Sequence, residues 1–151
     1  MKTILVESIA LPKHSPLTQS MPDSDFEEAY RRAFVSNSEI TASALVKEIL
    51  ARPPTGLPSL IKIKNLIFQP FGFLPINAES FNWVERDRDT VLLQFNDRHF
   101  SSHFSLSIFR KEQELVFGNR VRFHTKIGKA YFKLILPFHR RFIKYVLRAI
   151  E

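Results

Sequence analysis

The hydrophobic period of the chain changes once, near residue 76, and that change predicts the architecture. Before it, apolar residues recur at helical spacing. Ala44, Leu45 and Ile49 predict a helix over residues 41–51, capped by Thr41 and stopped by Pro53-Pro54. Leu60, Ile63, Ile67 and Phe71 predict a second helix over residues 57–71, ended by Gly72. Ahead of both, Thr3 to Leu11 reads as a short strand and Lys13 to Ser24 as a loop containing Pro and Ser. Residues 25–35 are ambiguous: Phe26, Ala29, Tyr30, Ala33 and Phe34 keep helical spacing behind a candidate N-cap at Asp25.

After residue 76 the period is two. Ala78 to Glu85 is a strand, and Arg86-Asp87-Arg88-Asp89 is a charged turn. Val91, Leu93 and Phe95 share one face of the next strand. From His99 to Phe109, Phe100, Phe104, Leu106 and Ile108 take one face, while His99, Ser101, His103, Ser105 and Ser107 take the other. Lys111-Glu112-Gln113 turns the chain, and Leu115, Phe117, Val121 and Phe123 continue the apolar face. Short turns between consecutive strands predict an antiparallel meander. One apolar and one polar face predict a sheet covered on one side and wet on the other.

The cover is predicted to be the end of the chain. Ile127, Tyr131, Leu134, Phe138, Phe142, Tyr145 and Ala149 step by three or four, which is one stripe of a long helix. Lys129, Lys133, Arg140 and Lys144 fall opposite and read as a solvated face. Pro137 lies within this helix, denies the Lys133 carbonyl its usual donor, and predicts a bend across the sheet. The fold class expected is therefore α+β, in one domain spanning residues 1–151.

Composition narrows the function classes. Fifteen phenylalanines can fill a core or line an apolar pocket, and the absence of cysteine excludes disulfides and thiolate metal sites. The net charge of +7 is spread along the chain, and no stacking platform or zinc-finger spacing accompanies it, so no nucleic-acid partner is expected. No apolar run reaches the roughly 18 residues of a membrane span. Ile4-Leu5-Val6, interrupted by Glu7, is too short for an export signal, so a cytoplasmic location is expected.

Several short motifs in order carry a family resemblance: Asp25-Phe26-Glu27-Glu28-Ala29-Tyr30, Phe71-Gly72-Phe73, Asp97-Arg98-His99-Phe100, Ile127-Gly128-Lys129-Ala130-Tyr131 and Leu136-Pro137-Phe138-His139. Over residues 8–150 the chain resembles a bacterial family known as domain of unknown function 2867. The resemblance implies a helix-grip fold, similar to the START-like and birch-pollen-allergen-like (SRPBCC) superfamily. There a curved antiparallel sheet wraps a long C-terminal helix, two shorter helices follow the first strand, and an apolar cavity often remains. It implies that residues 25–35 are the strand before those two helices. It also hints at an accessory role beside an epimerase-like protein partner. It supplies no catalytic residue.

Candidate chemistry comes from polar residues that break the apolar face. Ser102 and Asn119 either orient a ligand or mark bulge or edge positions. Asp97 shares the inward parity of Phe95, so it must find a partner there, as a turn hydrogen bond, an ion pair or a catalytic acid. His139, two residues past Pro137, can bond backbone or a strand residue. His99 and His103 lie four apart on a strand, roughly 13 Å, which is too far to share a metal; no metal site or cofactor is expected. The leading reading is a binding domain that holds a small apolar or amphipathic molecule between sheet and helix. Phe95, Phe104, Phe117, Phe123, Tyr131 and Phe138 would be its walls, with Asp97, Ser102, Asn119 and His139 as polar contacts. The alternatives are a cyclase- or hydrolase-type enzyme using Asp97 and a histidine, and a protein-interaction domain using the polar sheet face with Arg120, Arg122 and His124.

Overall fold

A computed structural model describes residues 4–35, 39–51 and 81–150. Six strands form one antiparallel sheet: β1 (Val6–Ile9), β2 (Phe26–Ala33), β3 (Asn82–Asp87), β4 (Thr90–Asn96), β5 (Phe100–Phe109) and β6 (Glu114–Phe123). Their spatial order is β1-β2-β6-β5-β4-β3. Helix α1 (Pro16–Ser20) follows β1, α2 (Ala42–Ala51) follows β2, and α3 (Lys126–Ala149) ends the chain. The α+β class and the long C-terminal helix are as the sequence predicts. The expected helix at residues 57–71 lies outside the described residues.

Residues 25–35 resolve in favour of the strand. β2 pairs with β6 over eight residues, from Phe26 opposite Val121 to Ala33 opposite Glu114, and carries β1 on its other edge. Tertiary pairing overrides the helical spacing, because Phe26, Glu28, Tyr30 and Arg32 then alternate onto one side. The meander β3-β4-β5-β6 follows the predicted parity, with Val91, Leu93, Phe95, Phe100, Leu106, Ile108, Leu115 and Val121 buried. Helix α2 begins as expected at Thr41, whose Oγ1 accepts from Ala44 N at 3.1 Å.

Helix α3 covers the inner face with a stripe rotated from the one predicted. Gly128, Tyr131, Phe132, Ile143, Val146 and Leu147 are buried, whereas Ile127, Leu134, Phe138 and Tyr145 are exposed. Ile143, Leu147 and Ile150 join Tyr30, Phe34, Leu45 and Val91 in one apolar cluster. Tyr131 and Phe132 join Phe95, Phe100 and Val121 in another. The prediction failed because this helix has two apolar lines, and the regular three-or-four step mixes them.

Both ends of α3 are tied to the sheet. At the start, Thr125 Oγ1 accepts from Gly128 N at 3.0 Å and lies 2.8 Å from His99 Nδ1. The contact between the Thr125 hydroxyl and His99 ties the cap to the start of β5. Gly128 is required there, since a Cβ would stand 2.3 Å from the His99 carbonyl oxygen. At the end, buried Arg32 donates through Nη1 to Leu147 O and Ile150 O, both at 2.6 Å. Those carbonyls have no intrahelical donor, and a guanidinium satisfies them while complementing the helix dipole.

The outer face departs from the wet face expected. Ser101, His103, Ser105 and Ser107 point outward as their parity requires, yet all are buried. The segment before β2 lies over the middle of this face. Leu17 of α1 is fully buried, and a Cβ on Gly118 would meet the Leu11 and Leu17 methyl groups and Ser105 Oγ, each at 2.9 Å. Ser20 Oγ lies 3.1 Å from His103 Nδ1, and burial lowers the pKa of His103. Helix α1 was invisible to periodicity because it has five residues and one apolar anchor.

Candidate functional site

The inner face of β2, β6 and β5 is apolar except at its centre. Register places Glu28 directly opposite Asn119, and Asn119 directly opposite Phe104. Ser102 lies diagonally from Asn119, and Tyr30 is two residues along from Glu28 on the same face. From above, α3 brings His139. The result is a chain of five polar side chains between sheet and helix, with Glu28, Tyr30, Ser102 and Asn119 buried and His139 partly exposed.

Its geometry is closed and specific. His139 Nε2 donates to Glu28 Oε1 at 2.6 Å. Tyr30 OH donates to Glu28 Oε2 at 3.1 Å. Asn119 Nδ2 lies 3.4 Å from both Glu28 Oε1 and His139 Nε2. The carboxylate is its acceptor, because Nε2 already donates. Ser102 Oγ donates to Asn119 Oδ1 at 3.0 Å, which fixes the amide orientation. Arg140 Nε stands 3.9 Å from Glu28 Oε2 at the rim. The imidazole lies beside the Phe104 and Phe132 rings, with centroids 6.4 and 6.3 Å away. Its second nitrogen, Nδ1, forms no hydrogen bond with another described residue.

Electrostatics follow from this closure. The Glu28 side chain is 6% exposed. Burial alone pushes its pKa up, but the hydrogen bonds from His139, Asn119 and Tyr30 and the charge on His139 outweigh burial and hold it below the usual carboxylate value. Glu28 is therefore ionised. Burial, together with the Glu28 charge and the bond to it, pushes the Tyr30 hydroxyl up to about 12, so it remains a donor.

The ten residues singled out from the sequence fall into three groups. Ser102, Asn119 and His139 meet in the polar centre, with Phe104 as an immediate neighbour. Phe117 packs against Phe104, with ring centroids 5.9 Å apart. Phe95, Phe123 and Tyr131 build the adjoining apolar end. Phe95 is 5.6 Å from Phe100, Tyr131 stacks on Phe100 at 5.9 Å, and Phe123 lies 5.4 Å from Phe132. Asp97 belongs to the β4–β5 turn, where Oδ1 accepts from His99 N at 2.7 Å and Phe100 N at 3.0 Å, which is the turn hydrogen bond among the roles expected of it. One expectation needs correction. Phe138 is 70% exposed on the outer side of α3 and does not face the sheet.

Glu28 and Tyr30 were missed. Their signal is the inward parity of Phe26, Glu28, Tyr30 and Arg32, which appears only once residues 26–33 are read as a strand. An ionisable residue on each side of an inward tyrosine marks a strand whose polar groups have long-range partners.

A hollow among the described residues lies elsewhere. It measures about 500 Å³, is open to solvent, and is lined by residues 22–27 with Arg120 and Arg122. Arg120 there is occupied by Glu27 and by the Met21 carbonyl. The polar centre is the better candidate, because its groups are buried and converge while those of the hollow are solvated. Among the described residues no three His, Asp or Glu side chains group as metal ligands, and no helix is long and apolar enough to cross a membrane.

Fold and site together define an α+β domain built as an open antiparallel sheet under a long helix, with an ionised Glu28 hydrogen-bonded to His139 between the two layers. The chain belongs to the family described as protein of unknown function, DUF2867, whose family model matches residues 20–146. Neither a curated protein nor a solved structure matches the chain.

Proposed function

We propose that the domain binds a small amphipathic molecule between sheet and C-terminal helix, with its polar group on His139 and its apolar body along Phe104, Phe117 and Phe132. The observation that carries this reading is the polar centre itself. Burying an ionised glutamate among phenylalanines is costly, and well-packed apolar residues would serve stability as well or better. A few convergent polar groups on an otherwise apolar wall are what a ligand site requires.

A second reading uses the same pair. A carboxylate that holds one imidazole nitrogen leaves the other to accept or deliver a proton, which is the arrangement of an oriented general base. Glu28 would orient and His139 Nδ1 would act, in a hydrolase- or cyclase-type reaction.

Native mass spectrometry of the freshly purified chain tests binding. The expected spectrum holds a second mass series that disappears on denaturation and is absent from a folded Ser102→Leu, Asn119→Leu double variant. A bare chain that also fails to take up fatty acids or sterols offered in excess counts against the binding reading.

A further inference from the structure

Helix α3 has two apolar lines and the sheet uses one. The other comprises Ile127, Leu134, Phe138 and Tyr145, which are 52, 64, 70 and 52% exposed. At about 100° per residue these four fall within about 20° of one straight line, roughly 27 Å long. Single exposed apolar residues are ordinary on a protein surface, but four in line are a patch.

Charge says what the patch faces. Helix α3 carries Lys126, Lys129, Lys133, Arg140, Arg141, Lys144 and Arg148, and no acidic residue. At the same angular step all the cations lie to one side of the apolar line: Arg141 and Arg148 about 40–60° from it, Lys126 and Lys144 about 100°, and Lys133, Arg140 and Lys129 about 120–160°. Arg140 and Lys144 reach back over the Phe26 and Tyr30 rings, at 5.8 and 5.7 Å, which leaves Arg141, Arg148 and Lys126 as the cations nearest the line. An apolar line edged on one side by cations, ending in a tyrosine, is the pattern of a helix lying in a lipid–water interface.

We propose that the outer face of α3 docks the domain on an anionic lipid surface. Ile127, Leu134, Phe138 and Tyr145 enter the interface while Arg141 and Arg148, with Lys126 alongside, meet the lipid phosphates. A second copy fits poorly, because a self-complementary contact would set cation against cation. Nucleic acid also fits poorly, since it offers phosphates but nothing for the apolar line. The docking face is separate from the polar centre, so it stands whether or not that centre takes a ligand.

Co-sedimentation of the full chain with large vesicles tests this. One preparation is phosphatidylcholine alone, and the other has about one third phosphatidylglycerol. The chain is expected to pellet with anionic vesicles, to bind the neutral ones at least about tenfold more weakly, and to be released by salt. Leu134→Ser with Phe138→Ser, and separately Arg141→Glu with Arg148→Glu, should each weaken binding at least about tenfold. No binding to anionic vesicles overturns the proposal, as does binding that either pair leaves unchanged. A lowered melting temperature in Phe138→Ser would mean the chain itself covers the line, and would also overturn it. A lipid-free dimer dissolved by the same substitution would overturn it in favour of a second copy.

Discussion

Replacing His139 by phenylalanine isolates the energetics of the polar centre. The new ring fits beside Phe104 and Phe132, so packing changes little, but Glu28 loses its 2.6 Å donor. Breaking a buried ion pair from one side typically costs about 3–5 kcal/mol. Glu28 keeps Tyr30 at 3.1 Å, Asn119 at 3.4 Å and half-exposed Arg140 at 3.9 Å, which reduces the expected loss to about 2–3 kcal/mol near neutral pH. For a chain of this size that is a fall in melting temperature of roughly 5–10 °C. The pH dependence should reverse. In the native protein the Glu28 pKa is lowered, so its contribution is complete above the unfolded carboxylate value of about 4.3 and is lost as pH falls through the folded value. Without His139, burial dominates and the folded pKa rises above the unfolded one. The protonated acid is then favoured, so the deficit of the variant shrinks as pH drops from 7 towards 5. Adding Glu28→Leu should bring the double variant within about 1–2 kcal/mol of the native protein, the remainder being Tyr30 and the Asn119 amide without their acceptor. Urea unfolding of the three variants across this range measures all of it. A His139→Phe deficit that is constant with pH, or a double variant equal to the sum of its singles, would refute the reasoning.

Other substitutions probe how the helix is held. Arg32→Met removes the donor to Leu147 O and Ile150 O and should cost about 2–3 kcal/mol, with amide hydrogen exchange accelerating first in the last turn of α3. Gly128→Ala places a methyl 2.3 Å from the His99 carbonyl, so the helix start must shift; a loss of about 1–3 kcal/mol in denaturant titration is expected, with the His99–Thr125 contact lengthened in a crystal structure. Leu17→Ala empties a fully buried position on the outer face, and a loss of about 2–4 kcal/mol would establish that α1 is part of the fold rather than an ornament.

The sheet was legible because its strands obey two rules at once. In β4, β5 and β6 every second residue is apolar except Ser102 and Asn119, and the turns are short, so parity and order followed from pattern alone. β2 was not legible in this way. Its period-two signal is carried by Glu28 and Arg32, residues that pattern reading assigns to solvent, and only their partners on α3 explain why they point inward. The same cause hid two of the five polar residues: Ser102 and Asn119 stood out as breaks in apolar runs and His139 by its place after Pro137, whereas Glu28 looked like an ordinary strand acid and Tyr30 like part of a helical stripe. On α3 the abundance of apolar residues made the buried stripe ambiguous, and Phe138 was assigned to the wrong side. Ser105 and Ser107 looked wet because nothing local reveals that Leu11 and Leu17 return to cover that face.

Nitrogen-15 imidazole NMR of His139 tests the central claim most directly. Spectra would be compared for protein as purified and after passage over a hydrophobic resin that strips bound small molecules. The account predicts that Nε2 stays protonated and bonded to Glu28 in both samples while the Nδ1 resonance moves on stripping. A His139 signal identical in the two samples, from protein that demonstrably released a small molecule, would contradict it.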